Sequence, residues 1–254
     1  MIHLVLSPQS CLLQSPSAEL NSTKRLHDAA RYRSLTIWST NSKRELTAST
    51  ATLRRSRIRE QNEARIIEAA LHVFSTIGYR GATVEEIAQC AGMSKANVLY
   101  YFKRKQDIYA AVLAQTLDVW LDPLQELNPS GDPIDEIWQY ARQKLRLSFE
   151  APQASRLFAN EILQGAPVIR TFLQNQLRIQ VNSKCQLIQK WIDQGRLAPV
   201  HPLHLIFLIW SSTQHYADFE TQIDALTTSE NRERLEQAEA TLKLILIRGL
   251  QPDT

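Results

Sequence analysis

Between Thr83 and Lys105 the chain gathers side chains able to hold phosphate and read base edges. They are Thr83, Ser94, Lys95, Asn97, Tyr100, Tyr101 and Lys105. Ser94, Lys95, Tyr100 and Lys105 suit phosphate oxygens, which position a protein on a duplex. Asn97 is the best base-reading side chain, because an amide can pair bidentately with adenine in the major groove. Just upstream, Arg54, Arg55, Arg57 and Arg59 form a basic arm. Such an arm can contact phosphates or enter the minor groove; a solvated tail is the competing reading. Catalytic chemistry has little to stand on. His201 and His204 make an HxxH pair with no acidic or Cys partner in register, so no metal is expected. No P-loop, GxGxxG, GxSxG or HExxH motif occurs, and no serine sits in a nucleophile setting. The sequence calls for no cofactor and no enzyme activity.

Two short helices and a turn position these groups. Val84, Ile87, Ala88 and Ala91 recur at three- and four-residue spacing, which predicts a helix over 84–91. Thr83 and Glu86 have the spacing of a capping box. Gly92 supplies the backbone freedom to end that helix and turn the chain. Ser94 caps a second helix whose Val98 and Leu99 point inward. Small Ala88, turn-forming Gly92 and inward Val98 make the spacing of a helix-turn-helix, in which the start of the second helix enters the major groove. An ordinary helical hairpin shows the same short pattern. The helix upstream, predicted over 62–77, buries Ile66, Ile67, Ala70, Val73, Phe74 and Ile77.

Charge is distributed unevenly along the 254 residues. Residues 51–105 carry ten Lys/Arg against five Asp/Glu, whereas 106–254 carry thirteen against eighteen. A basic head on an acidic body suits a nucleic-acid-binding domain joined to a sensor. Cys11, Cys90 and Cys185 are too scattered for a disulfide framework or a zinc site and fit a reducing cytoplasm. No apolar run reaches membrane-spanning length. Residues 1–53 lack a sustained period and are expected to be disordered or a non-native upstream extension. Met1 and Met93 are the two methionines, so a start between them would use a non-AUG codon, at Leu46 or Leu53.

Residues 60–109 resemble the DNA-binding domain of the TetR family of bacterial repressors. The marks are Phe74, Gly78 and Tyr79 closing the first helix, then Gly81 and Thr83, the IAQCAG run of 87–92, and SKANVLYYFKRK over 94–105. The resemblance extends to about Leu250 and implies an all-α protein. A helix-turn-helix domain over 54–105 precedes a helical ligand-binding and dimerisation bundle over 106–254. The partners it implies are a double-stranded DNA operator, a small-molecule effector and a second copy of the chain, with no membrane. Lys105 matches the family lysine that meets the DNA backbone.

The body reads as a bundle. Helices are predicted over 102–128, with Pro123 as a kink or stop, then over 133–149, 152–164, 167–195, 202–219 and 229–250. The last two are unusually apolar, and in TetR-like proteins this pair forms a four-helix dimer interface; a wholly internal hairpin is the alternative. Candidate effector residues are Trp120, Phe158, Glu161, Trp210, Gln214, His215 and Tyr216, each of which could instead be core packing. Arg142, Arg146 and Arg156 read better as surface or ion-paired cations. The stretches 152–158, 165–167 and 197–219 resemble the pyrimidine-sensing branch of the family, which implies uracil or thymine as effector. A different planar or apolar ligand, or a DNA-bound adaptor with a protein partner and no ligand, are the alternatives.

Overall fold

The computed structural model describes residues 43–252, with side chains described from Ser56 onward. Residues 1–42, most of the expected extension, lie outside them, as do Cys11 and the side chains of Arg54 and Arg55. Among the described residues there is helix and no strand. The head consists of α1 (Lys43–Gly81), α2 (Val84–Cys90) and α3 (Lys95–Tyr101). The body follows with α4 (Lys105–Gln125), α5 (Pro133–Glu150) and α6 (Pro152–Leu163). Then come α7 (Arg170–Phe172), a π-helical turn over Leu173–Leu177, α8 (Arg178–Asp193), α9 (Pro202–Asp218), α10 (Glu220–Leu226) and α11 (Asn231–Leu250).

Local chemistry accounts for most boundaries. Thr83 Oγ1 accepts from the Glu86 N–H at 3.2 Å, and Glu86 returns the bond to the Thr83 N–H at 2.8 Å. This capping box starts α2. Gly92, at φ 62°, turns the chain. Ser94 Oγ accepts from the Asn97 N–H at 3.1 Å and starts α3. Asp132 caps α5, and Pro133, Pro152 and Pro202 occupy first-turn positions that need no donor.

Four boundaries differ from expectation. Helical backbone begins at Lys43, so residues 43–53 are not an irregular tail. That stretch mixes helix formers with Ser and Thr, and its Leu46 and Leu53 are too few to give an apolar period to read. Pro123 neither stops nor breaks α4, which runs on to Gln125 with the proline ring buried; so near the end, few backbone bonds are lost. The expected helix over 167–195 begins only at Arg170 and carries the π turn. The short α10 after Phe219 was not expected.

Two apolar clusters hold the chain together. One joins Ile66, Phe74, Ile87 and Val98 of the head to Ile108, Leu113 and Leu117 of α4, Leu157 of α6, and Ala166 and Ile169. The other joins Leu124 to Ile137 and Tyr140 of α5, Trp191 of α8, Ile206 and Ile209 of α9 and Leu246 of α11. Head and body therefore share a core. Thr83→Ala removes the side-chain half of the cap and should destabilise the protein by ~1 kcal/mol. The urea midpoint should fall while the slope of the transition stays constant.

Candidate nucleic-acid interface and effector site

The helix-turn-helix is rigid because each of its ends is tied. Val98 and Ile87 are fully buried between α2 and α3. Met93 N–H donates to the Ala88 carbonyl at 2.9 Å across the turn. Arg65, on α1, donates from Nη2 to the Ala91 carbonyl at 2.6 Å and so puts a cation at the C-terminus of α2. Sequence reading did not single out Arg65, because its partner is a carbonyl distant in the chain.

The expected DNA-facing residues divide by what they already bind. Arg57 and Asn97 are exposed, and Tyr100 is 77% exposed, its ring edge-on to Tyr101 at 5.2 Å. Lys95 pairs with Glu85 across the motif, both side chains being solvated. An exposed pair of this kind is worth little and can be exchanged for a phosphate. Thr83 uses its hydroxyl as acceptor and donor in its capping box, whereas the Ser94 hydroxyl accepts in its cap and keeps its O–H for a phosphate. The Tyr101 hydroxyl accepts from Asn62 Nδ2 at 2.8 Å. Lys105 changes character most. Its Nζ donates to the Tyr79 and Ala82 carbonyls, both at 2.7 Å, and lies 4.7 Å from the centroid of the Tyr79 ring. Two of its three donors are thus taken by the protein itself, leaving one for phosphate.

A second group of polar residues, with Lys144 and Ser155 buried and Gln214 and Asp218 half-buried, gathers where α4, α5, α6 and α9 meet. Trp120 is 5% exposed, belongs to neither apolar cluster, and its Nε1–H has no acceptor among the described residues. Lys144 of α5 is 3% exposed and places Nζ 3.8 Å from the centroid of the Trp120 ring. Burial pushes the Lys144 ammonium down to about 7, and only the charge of Asp218 pulls it back. Burial likewise raises the Asp218 carboxyl, against the opposing pull of a hydrogen bond from Ser155 and of the Lys144, Arg156 and His215 charges. Ser155 Oγ donates to Asp218 Oδ1. The register between α5 and α9 is set by Trp210 Nε1–H, which donates to the Tyr140 hydroxyl at 2.5 Å. Trp210, Gln214 and Asp218 follow one another at four-residue spacing on α9, and Tyr140 and Lys144 do so on α5, so Gln214 lies on the same stripe. Together these groups offer a flat indole wall, a free N–H donor, a cation and a carboxylate.

Trp120, Trp210 and Gln214 of the expected effector residues fall on this arrangement. Phe158 and Glu161 do not. They lie about one and two turns beyond Ser155 along α6, where Phe158 packs on the head cluster. The Glu161 carboxylate there accepts backbone N–H from Val168 at 2.7 Å and Ile169 at 3.3 Å. His215 is exposed and stacks on Phe219, and Tyr216 packs against Phe149 at 5.3 Å. Arg142 and Arg146 both pair with Glu239, and Arg156 with Glu220. Lys144, Ser155 and Asp218 are absent from the sequence-based candidates. Their signal was present: Lys144 follows Tyr140 and Ala141 and precedes Ser148 on the buried stripe of α5. Among the described residues no group of three or more potential ligands could hold a metal, and no helix is long and apolar enough to cross a membrane.

A rigid helix-turn-helix on a helical body defines a DNA-binding regulator, and the comparisons agree. Residues 66–112 match the family described as bacterial regulatory proteins, tetR family, and residues 113–253 match the C-terminal region of YcdC-like proteins. The chain belongs to the TetR family of helix-turn-helix transcriptional regulators, not to an enzyme family. It is 44% identical over 201 residues to the HTH-type transcriptional regulator RutR of Escherichia coli K12, covering 78% of this chain and 95% of that one. A bacterial regulatory protein of the tetR family from Rhodococcus RHA1 shares the fold with a TM-score of 0.61 at 17% identity, covering 76% of this chain and 98% of the other. The TetR family regulator PfmR from Thermus thermophilus does so with a TM-score of 0.59 at 19% identity, covering 74% and 99%.

Burying Lys144 has a measurable consequence. Its value in the folded protein lies below the 10.5 of a free lysine. Between about 7 and 10.5 the unfolded chain therefore holds a proton that the folded chain does not, and stability rises with pH across that window. Below it both states are protonated and the cost of burial is complete. Lys144→Met should thus be more stable than the parent at about pH 6, by on the order of a few kcal/mol, and lose that advantage toward about pH 10. Thermal unfolding of the two proteins across this range measures the difference.

Proposed function

We propose that this regulator binds a near-palindromic operator as a homodimer and that a small planar molecule, uracil or thymine, controls the binding. The observation that carries the effector reading is the buried Lys144 amine against the face of Trp120, whose indole N–H has no acceptor among the described residues. A buried donor left unmade costs roughly 1–3 kcal/mol, and a ring carbonyl would supply the missing acceptor. A pyrimidinedione has an apolar face for the indole, carbonyls for Trp120 Nε1–H and Lys144, and N–H groups for Asp218 or Gln214. The likeness of 152–158, 165–167 and 197–219 to the pyrimidine-sensing branch supports the same ligand class. Asn97 would read bases, with Arg57, Lys95, Tyr100 and the remaining donor of Lys105 on phosphates. Two recognition helices α3 would occupy successive major grooves, about 34 Å apart. Residues 54–105 act as the DNA-binding unit and 106–254 as the sensor and dimer unit. Exposed Phe207 and Leu208 on α9, with Leu244 and the 61% exposed Ile245 on α11, favour these two helices as the interface.

Three measurements test this reading. Asn97→Ala should flatten sequence preference, whereas Lys95→Ala should weaken binding to all sequences and reduce the salt slope by about one phosphate's worth. Operator titrations at several salt concentrations separate the two; unchanged binding in both variants excludes this DNA face. Ile245→Glu should give monomers or aggregates, and sedimentation showing a parent monomer at micromolar concentration rules out the dimer. Uracil or thymine at about a hundredfold over its dissociation constant should stabilise the protein by roughly 2.7 kcal/mol and release operator. Lys144→Met and Asp218→Asn should each lose that response. No response of the parent up to millimolar pyrimidine sinks the ligand assignment and leaves the regulator standing.

A further inference from the structure

The polar group around Lys144 is buried unevenly. Lys144 is 3% exposed and Ser155 is fully buried, whereas Asp218, which accepts from Ser155 Oγ, is half-buried. Tyr140 meets Trp210, and Phe149 meets Tyr216 at 5.3 Å, so α5 and α9 run in the same direction. Lys144 therefore lies about one helical turn inward of Asp218. Outward of Asp218, Arg156 Nη1 donates to Glu220 Oε2 at 2.5 Å and to the Ala217 carbonyl at 3.5 Å. The Arg156 and Glu220 side chains are 35% and 37% exposed. Residues 155 and 156 of α6 thus meet the end of α9 in two adjoining rungs, the inner one shielded and the outer one in contact with water.

Glu220 opens α10, and α10 is weakly held. It follows α9 across Phe219, whose backbone at φ −118° and ψ 29° is not helical. Among the described residues none of the seven in α10 is buried, so it has no place in either apolar cluster. Its charged anchors are the Arg156–Glu220 pair at one end and Arg234 Nη1, which donates to Asp224 at 2.8 Å, further along. Partly solvated ion pairs contribute little to stability, and a segment with few buried apolar contacts opens locally at low cost.

We propose that α10 is a strap across the mouth of the Lys144–Asp218 site, latched by the Arg156–Glu220 pair, and that small molecules enter and leave between the start of α6 and the end of α9 when the latch opens. The proposal rests on the reading of that site as the effector site. Opening parts Glu220 from Arg156 and swings α10 about Phe219, with Arg234–Asp224 as the far anchor. The Ser155–Asp218 bond then faces water, and a ligand that takes over one of its partners passes inward to Lys144 and Trp120. The latch is closed over the empty and the filled site alike, so it governs rates and leaves affinity nearly unchanged.

Glu220→Gln is the direct test, because it discharges the latch and leaves Ser155, Asp218 and Lys144 in place. In stopped-flow measurements with uracil, the association and dissociation rate constants should each rise by about threefold to fivefold, the worth of a partly exposed ion pair. Kd should stay within about twofold of the parent. Raised salt should speed the parent in the same way and change the variant little, since it screens the pair. Unchanged rates, or a change in Kd with one rate alone, overturn the proposal; a merely structural role for Glu220 would move Kd. If the parent ignores uracil, the ligand assignment fails, and acrylamide takes the place of the ligand as a neutral probe of the same passage. The fluorescence owed to Trp120, obtained by subtracting that of the Trp120→Phe protein, should be quenched about twofold or more efficiently in the Glu220→Gln background. Equal quenching overturns the proposal independently of uracil.

Discussion

One helix belongs to both cores, and that constrains everything else. Helix α4 enters the head cluster through Ile108, Val112, Leu113 and Leu117 and the body cluster through Leu124. A helix of 21 residues is about 31 Å long and moves nearly as a rod. Its N-terminus is pinned by Lys105 to the carbonyls of Tyr79 and Ala82, so displacement of the rod is felt directly beneath α2. Trp120 sits between the two apolar clusters, fifteen residues or about 22 Å from Lys105, where a change in packing acts on a long arm. The family's separation into a DNA-binding head and a sensing body is thus a separation of roles laid over a continuous interior.

The polar site at Trp120 runs against the energetics of that interior. A lysine whose ammonium is pushed down by burial is destabilising, and an aspartate whose carboxyl is raised by burial adds to the burden. The indole face recovers part of this through its attraction for the cation, and Ser155 satisfies one carboxylate oxygen. On the proposed reading the remaining deficit would give a ligand its leverage, since a molecule pairing with Trp120, Lys144 and Asp218 would gain more here than at a site already satisfied. Arg142 and Arg146 illustrate the opposite case. Both meet Glu239 at the protein surface, their demands are met, and nothing recommends them as ligand contacts.

The DNA face shows a similar division of labour. Side chains with phosphate-binding chemistry are used first to build the motif: Thr83 and Ser94 cap its helices, Tyr101 is bonded to Asn62, and Lys105 joins two carbonyls. What remains for DNA is presented on a scaffold made rigid by those bonds. Asn97 donates its backbone N–H to the Ser94 cap, so the side chain best suited to read a base stands on backbone held by that bond.

Much of this was legible in the residues alone. The helix-turn-helix is a local structure, written in the capping box at Thr83 and Glu86, the turn at Gly92 and the inward Val98, and each of these acts over a few residues. The prolines at 133, 152 and 202 stand at helix starts for the same reason, whereas Pro167, expected to do likewise, lies in a turn and the helix begins at Arg170. The polar site was only half legible. Trp120, Trp210 and Gln214 stood out as aromatic or amide groups in apolar helices, whereas Lys144, Ser155 and Asp218 gained significance only when α5, α6 and α9 brought them together. Glu161 holds the N–H groups of Val168 and Ile169, partners that sequence could not name, because it shows that an acid lies on a helix and not what folds back onto it. Side-chain periodicity reports which face is buried. Partners of a buried charge come from other helices, and helix packing alone decides which of them lie within hydrogen-bonding distance.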